Sequence, residues 1–176
     1  MLLSDDQIRH LESSDFVVET QERVLATSLR ALNQVVGVTR LTPQPAGDVM
    51  LYVADEIWGV ERKSAADLLA SYAGSRMRCT ATCALCGGRG CQRLTSQMRR
   101  MLDNYDHVVL FIEGWFGATE CDYIQTAYRT HQLLWHGLMN TLSKWQHAGV
   151  ELQFSADVQH TAACLISLRD YWQSKS

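Results

Sequence analysis

Short apolar runs alternate along this chain with segments in which apolar residues recur every three or four positions. Two of the apolar runs predicted to be strands are Phe16–Val18 and Val108–Ile112. A third predicted strand is Val150–Phe154, in which every second residue is apolar. Val108–Ile112 is apolar throughout, which is typical of a strand buried on both faces. Helical spacing begins after Arg23 and again at Leu94. Strands that alternate with helices predict a three-layer α/β domain with a substantially parallel centre.

Local patterns predict the remaining elements. Every second residue of Asp48–Ala54 is apolar, which indicates a strand, and Ile57–Arg62 can return as its hairpin partner. Ser64 is a good N-cap for a helix that runs to Tyr72. The spacing over Tyr123–His147 predicts one long helix or two helices, and Val158–Trp172 is the last predicted helix.

The length of 176 residues fits a single domain over residues 1–176. No uninterrupted apolar stretch reaches the roughly 18 residues of a membrane-spanning helix, so no membrane association is expected. The first fifteen residues include four acids and do not resemble a signal peptide. Six cysteines in such a chain predict an intracellular protein, of the cytoplasm and nucleoid or of a nucleus, in which metal binding is favoured over disulfides.

The formal net charge of −3 conceals an uneven distribution. Residues 62–100 contain eight basic residues and one acid, a net charge of +7, which leaves −10 for the rest of the chain. A positive face on an otherwise acidic protein can steer it onto a polyanion such as nucleic acid. An ordinary solvated surface is the alternative interpretation of the same charges.

Three polar residues on the predicted hairpin have the chemistry of a hydrolytic centre. Asp48 begins the hairpin, and Glu61 and Lys63, two positions apart on a strand, face the same side. Two carboxylates at one edge of a sheet can hold a hard divalent cation, and a neighbouring ammonium can orient a water. Taken alone, these residues favour the interpretation of a surface ion pair.

The sequence around these residues carries a longer motif. Gly47-Asp48 is followed by Glu61-Arg62-Lys63 and, after three more residues, by Asp67. This order resembles the hallmark of the XPF-type structure-specific endonuclease family. Further segments are similar to that family in the same order: Val17–Arg23, Arg93–Gln97, Leu110–Gly114, Gly149–Leu152 and Thr161–Ala163. The resemblance extends from about Phe16 to Trp172.

The resemblance implies a three-layer α/β/α restriction-endonuclease-like nuclease fold with a mixed central sheet. It also implies a DNA endonuclease that depends on Mg2+ or Mn2+, acts on branched, flap or single-strand/duplex junction DNA, and serves DNA repair or recombination. A non-catalytic DNA-binding or scaffolding subunit is one alternative, because the family contains inactive members. A nuclease with another target, such as RNA, is a second, because the hydrolytic core does not choose the substrate.

The resemblance also implies roles for individual residues of this chain. Asp48 and Glu61 are implied as the principal Mg2+ ligands, with the Arg62 backbone carbonyl as a third, while Lys63 positions the attacking water. Glu19 and Glu22 would complete the acidic cluster, and Glu19 is implied as a catalytic residue. Asp67 and Gln97 are implied as supporting or structural partners. The residues implied in DNA binding are Arg62, Arg76, Arg78, Arg89, Arg93 and Gln97.

The first strand departs from the family pattern at two positions. The family has Asp where this chain has Glu19, which is one methylene longer, and Arg where this chain has Gln21. A longer carboxylate can still reach a metal through water, so we expect activity to be retained.

A cysteine-rich segment over residues 76–93 interrupts the family pattern. Cys79, Cys83, Cys86 and Cys91 lie within 13 residues, a spacing that suits tetrahedral Zn2+. The run from Cys83 to Gly90 fits the zinc knuckle of J-domain co-chaperones. The segment is therefore predicted to bind a structural zinc, with free thiols or a site shared by two chains as alternatives.

Several other residues have two interpretations. The resemblance implies a homodimer or heterodimer through the C-terminal helices, and Trp135, Leu138, Leu142 and Trp145 could form its apolar face or part of an intramolecular core. Trp58 and Trp115 are expected to pack, with stacking on an unpaired base as the alternative. Cys121 and Cys164 are expected to pack as small apolar residues.

Overall fold

The computed structural model describes residues 16–19, 21–32, 38–41, 47–74 and 93–175. Its strands are β1 (Phe16–Glu19), β2 (Val38–Leu41), β3 (Val49–Val53), β4 (Glu56–Ser64), β5 (His107–Glu113), β6 (Phe116–Ala118), β7 (Tyr123–Thr126), β8 (Thr130–Leu134) and β9 (Val150–Ser155). Its helices are α1 (Arg23–Leu32), α2 (Ala65–Ala73), α3 (Arg93–Leu102), α4 (Trp135–His147) and α5 (Val158–Gln173).

Within these residues, six strands form the central sheet in the order β2-β1-β3-β4-β5-β9. The β3–β4 hairpin is antiparallel, and β5 and β9 continue the sheet in parallel with β4. All but the first residue of β5 are buried, because β4 and β9 flank it and helices cover both faces. The prediction of a continuous buried strand at Val108–Ile112 is confirmed.

Helices cover the sheet on both sides. One core contains side chains of α2, α3 and α4, among them Leu68, Met98 and Trp145. The opposite core contains side chains of α1 and α5, among them Leu29 and Leu165. This three-layer arrangement around a mixed sheet confirms the predicted fold class.

The β3–β4 hairpin closes through a two-residue turn. Ala54 and Asp55 both have positive φ, of 55° and 64°, as the twist of a tight hairpin favours. Val49 pairs with Val60 in the resulting register. The hairpin therefore lies where the sequence predicts it, and it ends in Ser64, whose side chain caps α2 as expected.

The prediction of helix throughout Tyr123–His147 is wrong in its first half. β6, β7 and β8 form a separate three-stranded antiparallel sheet, and only Trp135–His147 is helical. Along β7 the side chains alternate between exposed and buried, a period of two that favours a strand. The apolar spacing that indicated a helix belongs to α4 alone.

The apolar face of α4 serves the intramolecular core. Leu138, Leu142 and Trp145 are buried, and Trp135 packs partly against them. These side chains are therefore not available to a partner, and a dimer would need another surface.

Of the two tryptophans and two cysteines that were expected to pack, one of each does so and the other is exposed. Trp58 is buried and stacks on His107, whereas Trp115 is exposed. Cys164 packs against the core as expected, but Cys121 is exposed on the surface, so that prediction is wrong. In the part of the chain that the structure describes, no helix has the length and apolarity that crossing a membrane requires.

Candidate active site

The β3–β4 hairpin brings Asp48 beside the strand that carries Glu61. The backbone N–H of Asp48 donates to the Val60 carbonyl oxygen at 2.8 Å. The Asp48 Oδ2 atom accepts from the backbone N–H of Arg62 at 2.7 Å. The Asp48 carboxylate is thus held by the backbone of the residue that follows Glu61.

Gly47 allows this close approach. Its φ is 87°, and a Cβ atom at this position would lie 3.0 Å from the Val60 carbonyl oxygen and 2.9 Å from the Met101 side chain. Since side chains rarely adopt that φ and the oxygen belongs to the backbone, glycine is required. This explains in physical terms why glycine precedes Asp48.

Glu61 is fully buried, with 0% of its surface exposed. The Nε2 atom of Gln97, on α3, donates to Glu61 Oε2 at 2.6 Å. The Nζ atom of Lys63 lies 2.5 Å from Glu61 Oε1, although Oε1 receives no well-directed hydrogen bond. Glu61 and Lys63 therefore face the same side, as predicted, and Oε1 keeps capacity for a further ligand.

Burial raises the pKa of both carboxyl groups. For Asp48 the pKa rises from 3.8 to about 7, first through burial and then through the charge of Glu61. For Glu61 burial also raises the pKa, and the Lys63 ammonium opposes the rise. The charge of Glu22 adds to the rise at both groups. Two neighbouring carboxyl groups with raised pKa values on the β3–β4 hairpin form an environment that a cation would stabilise.

Arg62 projects from the opposite face of β4 and holds two carboxylates. Its Nη2 atom lies 2.6 Å from Glu22 Oε2, and its Nη1 atom lies 2.5 Å from Glu113 Oε2. Burial alone would lower the pKa of Arg62, but the hydrogen bonds and charges of Glu22 and Glu113 raise it overall. The guanidinium thus ties the start of α1 to the ends of β4 and β5.

The second oxygen of Glu113 belongs to a buried hydroxyl network. Thr161 Oγ1 donates to Glu113 Oε1 at 2.6 Å, and Ser155 Oγ lies 2.7 Å from Thr161 Oγ1. Sequence reasoning did not identify Ser155. The only available signal was its position as a polar residue at the end of a buried strand.

The structure also describes three more of the predicted site residues, Glu19, Asp67 and Arg93. Glu19 donates from its backbone N–H to the Asp48 carbonyl oxygen, while its carboxylate accepts from the Gln21 N–H at 2.7 Å. Asp67 accepts from the Ser64 hydroxyl at 2.7 Å and so belongs to the cap of α2. Arg93 is exposed at the first position of α3.

The cysteine-rich segment was predicted to hold a structural zinc. Its four cysteines, with Arg76, Arg78 and Arg89, lie outside the described residues. The zinc prediction therefore stays a prediction.

The donors at the hairpin are those of a hard divalent cation. Asp48 and Glu61 supply carboxylate oxygens, the ligands that Mg2+ prefers together with water. Across the described ranges, no group of three or more His, Cys, Asp or Glu side chains is placed to hold a metal ion. The arrangement thus offers one half-buried and one buried carboxylate, Asp48 and Glu61, and leaves further positions to water, backbone or substrate oxygens.

Known proteins were compared with this chain. The family model described as the ERCC4 domain matches residues 9–168. XPF from Aeropyrum pernix matches with a TM-score of 0.59 and 20% identity over 89% of this chain and 63% of that one. The structure of XPF from Aeropyrum pernix in complex with DNA matches with a TM-score of 0.61 and 22% identity over 92% and 66%.

The chain spans about two thirds of the length of these solved structures. At this identity the structural matches establish the fold, and no curated protein matches this chain. The family match covers most of the chain and confirms the resemblance stated from the motif. This chain therefore belongs to the ERCC4 domain family.

Proposed function

We propose that this chain is a DNA endonuclease that uses Mg2+ or Mn2+ and cleaves at single-strand/duplex junctions, flaps or branches. The observation that carries the proposal is the pair of neighbouring carboxyl groups, the half-buried Asp48 and the buried Glu61, with Lys63 beside them. Holding two acidic groups together away from water destabilises a fold, so such a pair is typical of a functional site. Family membership and a structural match that contains DNA support the same proposal.

Asp48 and Glu61 are the residues that would hold the cation. When bound, a divalent cation polarises a phosphoryl oxygen and lowers the pKa of its bound water. Glu61 Oε1 fits this role because it is buried and lacks a well-directed hydrogen bond. Gln97 supports the role by fixing the other oxygen of the same carboxylate.

Lys63 supplies the positive charge of the centre. Its side chain is 21% exposed, so the ammonium can reach a substrate while its Nζ atom stays 2.5 Å from Glu61. In that position it orients a water toward the phosphate and offsets charge that develops on the phosphate oxygens. An ammonium held by a buried carboxylate is preorganised for this task.

The test is cleavage by single-residue variants. Labelled flap, fork, four-way-junction, linear duplex and RNA substrates are incubated with Mg2+ or Mn2+. Asp48→Asn, Glu61→Gln and Lys63→Ala should each reduce cleavage by about 100-fold or more, because each removes a group used in the transition state. EDTA should abolish cleavage by the wild type.

Exposed acids provide matched controls. Glu120→Gln, in the β6–β7 turn, and Asp103→Asn, after α3, make the same chemical changes at exposed positions and should cleave like the wild type. Wild-type cleavage by Glu61→Gln would refute the assignment. Junction binding without cleavage, in the presence of either metal, would instead identify a non-catalytic subunit, and preferential cleavage of RNA would identify another target.

A further inference from the structure

A cavity of about 660 Å3 lies beside the candidate active site. Arg62, between Glu61 and Lys63 in the sequence, forms part of its wall, and Glu113 at the end of β5 forms another part. Its volume falls in the range of about 300–1,000 Å3 that is typical of small-molecule and cofactor sites. The cavity thus adjoins the hairpin through Arg62 and Ser64 at the end of β4.

Two exposed aromatic residues line this cavity. Trp115 is 58% exposed and Tyr128 is 94% exposed. The hydrophobic effect favours burying surfaces of this size, so their exposure beside a cavity indicates a ligand that covers them. Val24 and Val158 add apolar surface to the same lining.

The backbone fixes the positions of both aromatic residues. Gly114 turns the chain after β5 with a φ of 87°, and a Cβ atom on Gly117 would lie 3.0 Å from the Trp115 ring. The ring therefore packs on the glycine backbone. Tyr128 lies in the β7–β8 turn, which Thr126 closes by donating its N–H to the Arg129 carbonyl oxygen at 2.9 Å.

The charges that line the cavity disfavour a phosphate. They are the Arg62 guanidinium and the carboxylates of Glu113 and Asp157, a net charge of −1. Arg62 donates to Glu22 and Glu113, and the Ser64 hydroxyl is used by Asp67. An uncharged planar group that gains its affinity by stacking suits this lining, whereas an anion does not.

We infer that the cavity takes an unstacked nucleobase from an unpaired nucleotide next to the scissile phosphate. The base stacks on Trp115 and Tyr128, as bases do on aromatic side chains in proteins that bind single strands. Since Arg62, Ser64 and Glu113 are already hydrogen-bonded within the protein, stacking supplies most of the affinity, so the site accepts any base and recognises the unpaired state. This inference rests on the proposed function, and it explains a preference for junctions.

An abasic-site scan tests the inference. Junction DNA is prepared with one abasic residue at each unpaired position in turn, and binding is measured in Ca2+ so that no cleavage is needed. At one position next to the junction, the abasic residue should weaken wild-type binding by about fivefold or more, the effect of losing one base–aromatic stack. Trp115→Ala should weaken binding of the intact junction by a similar factor.

The losses of binding affinity caused by the abasic residue and by Trp115→Ala should not be additive. Trp115→Ala should show a smaller abasic effect than the wild type, and the Trp115→Ala/Tyr128→Ala double variant should bind abasic and intact junctions equally, because both rings that contact the base are then gone. Trp115→Phe and Tyr128→Phe, which keep a ring, should retain most of the affinity. Tyr171→Ala, at an exposed aromatic residue of α5 outside this cavity, should bind like the wild type. Binding of blunt duplex should be the same for all of these proteins.

Additive losses, equal losses on blunt duplex, or unchanged binding by Trp115→Ala would each overturn the inference. The proposed function fails separately, through wild-type cleavage by Glu61→Gln. Normal junction cleavage that is indifferent to Trp115 would thus remove the base site and leave the nuclease assignment intact.

Discussion

Replacing Asp48 by asparagine should change how the stability of the metal-free protein depends on pH. The pKa of Asp48 is about 7 in the folded protein, against an ordinary value of 3.8. The folded state therefore binds this proton more tightly than the unfolded state does. The resulting stability is fully present below about pH 4 and is lost as the pH rises through about 7.

The size of the effect follows from the pKa values. At about 1.4 kcal/mol for each unit of pKa, the rise from 3.8 to about 7 corresponds to at most about 4 kcal/mol. Between pH 5 and pH 8 the wild type should lose about 3 kcal/mol of this, because part is already lost at pH 5. An asparagine at position 48 can still accept from the Arg62 N–H but carries no charge at either pH.

Urea unfolding in EDTA at pH 5, 6, 7 and 8 measures the effect. The free energy of unfolding of Asp48→Asn should increase relative to the wild type by about 3 kcal/mol between pH 5 and pH 8. Asp103→Asn, an exposed position, should follow the wild type throughout. Mn2+ at pH 8 should stabilise the wild type and not Asp48→Asn. Parallel curves for the wild type and Asp48→Asn would refute the view that this carboxylate is buried at an energetic cost.

Three further predictions concern other parts of the chain. Glu113→Ala should lower the free energy of unfolding, measured in urea, by about 3 kcal/mol, because the half-buried Arg62 guanidinium would keep only the Glu22 carboxylate. A loss below about 1 kcal/mol would contradict the importance of this ion-pair network. Metal analysis of protein purified without chelator should find about one zinc per chain, and Cys83→Ser should lose it; a metal-free wild type would refute the zinc prediction. Arg93→Ala should weaken DNA binding and reduce its salt slope by about one unit, whereas Lys144→Ala should change neither; an unchanged slope for Arg93→Ala would indicate a solvated surface.

Local patterns predicted the parts of the fold that local interactions determine. The β3–β4 hairpin, the buried strand β5 and the Ser64 cap each depend on residues close together in sequence, and all three are present. Gln97 was implied as a supporting residue only through the family motif, and its hydrogen bond to Glu61 was not predicted, since the two residues lie 36 positions apart.

The missed features depend on distant or competing interactions. The Arg62 network requires α1, β5 and α5 to meet at one end of the sheet, which no periodicity encodes. The β6–β8 sheet was missed because the strong helical spacing of α4 was extended too far towards the N-terminus. Cys121 is exposed although cysteines are usually buried, because it lies in the turn between β6 and β7.

The two-residue turn of the β3–β4 hairpin determines where this domain can accept an insertion. Because that turn joins the strands beside Asp48 and Glu61, the separation of the two carboxylates depends on only about 14 consecutive residues. The connection between α2 and α3 lies outside that stretch, and lengthening a connection costs little free energy. Additional segments, such as the cysteine-rich one at residues 76–93, can therefore be acquired there without altering the spacing of the carboxylates. The hairpin therefore sets the spacing of the two carboxylates by itself, and the α2–α3 connection is a position where an insertion leaves that spacing unchanged.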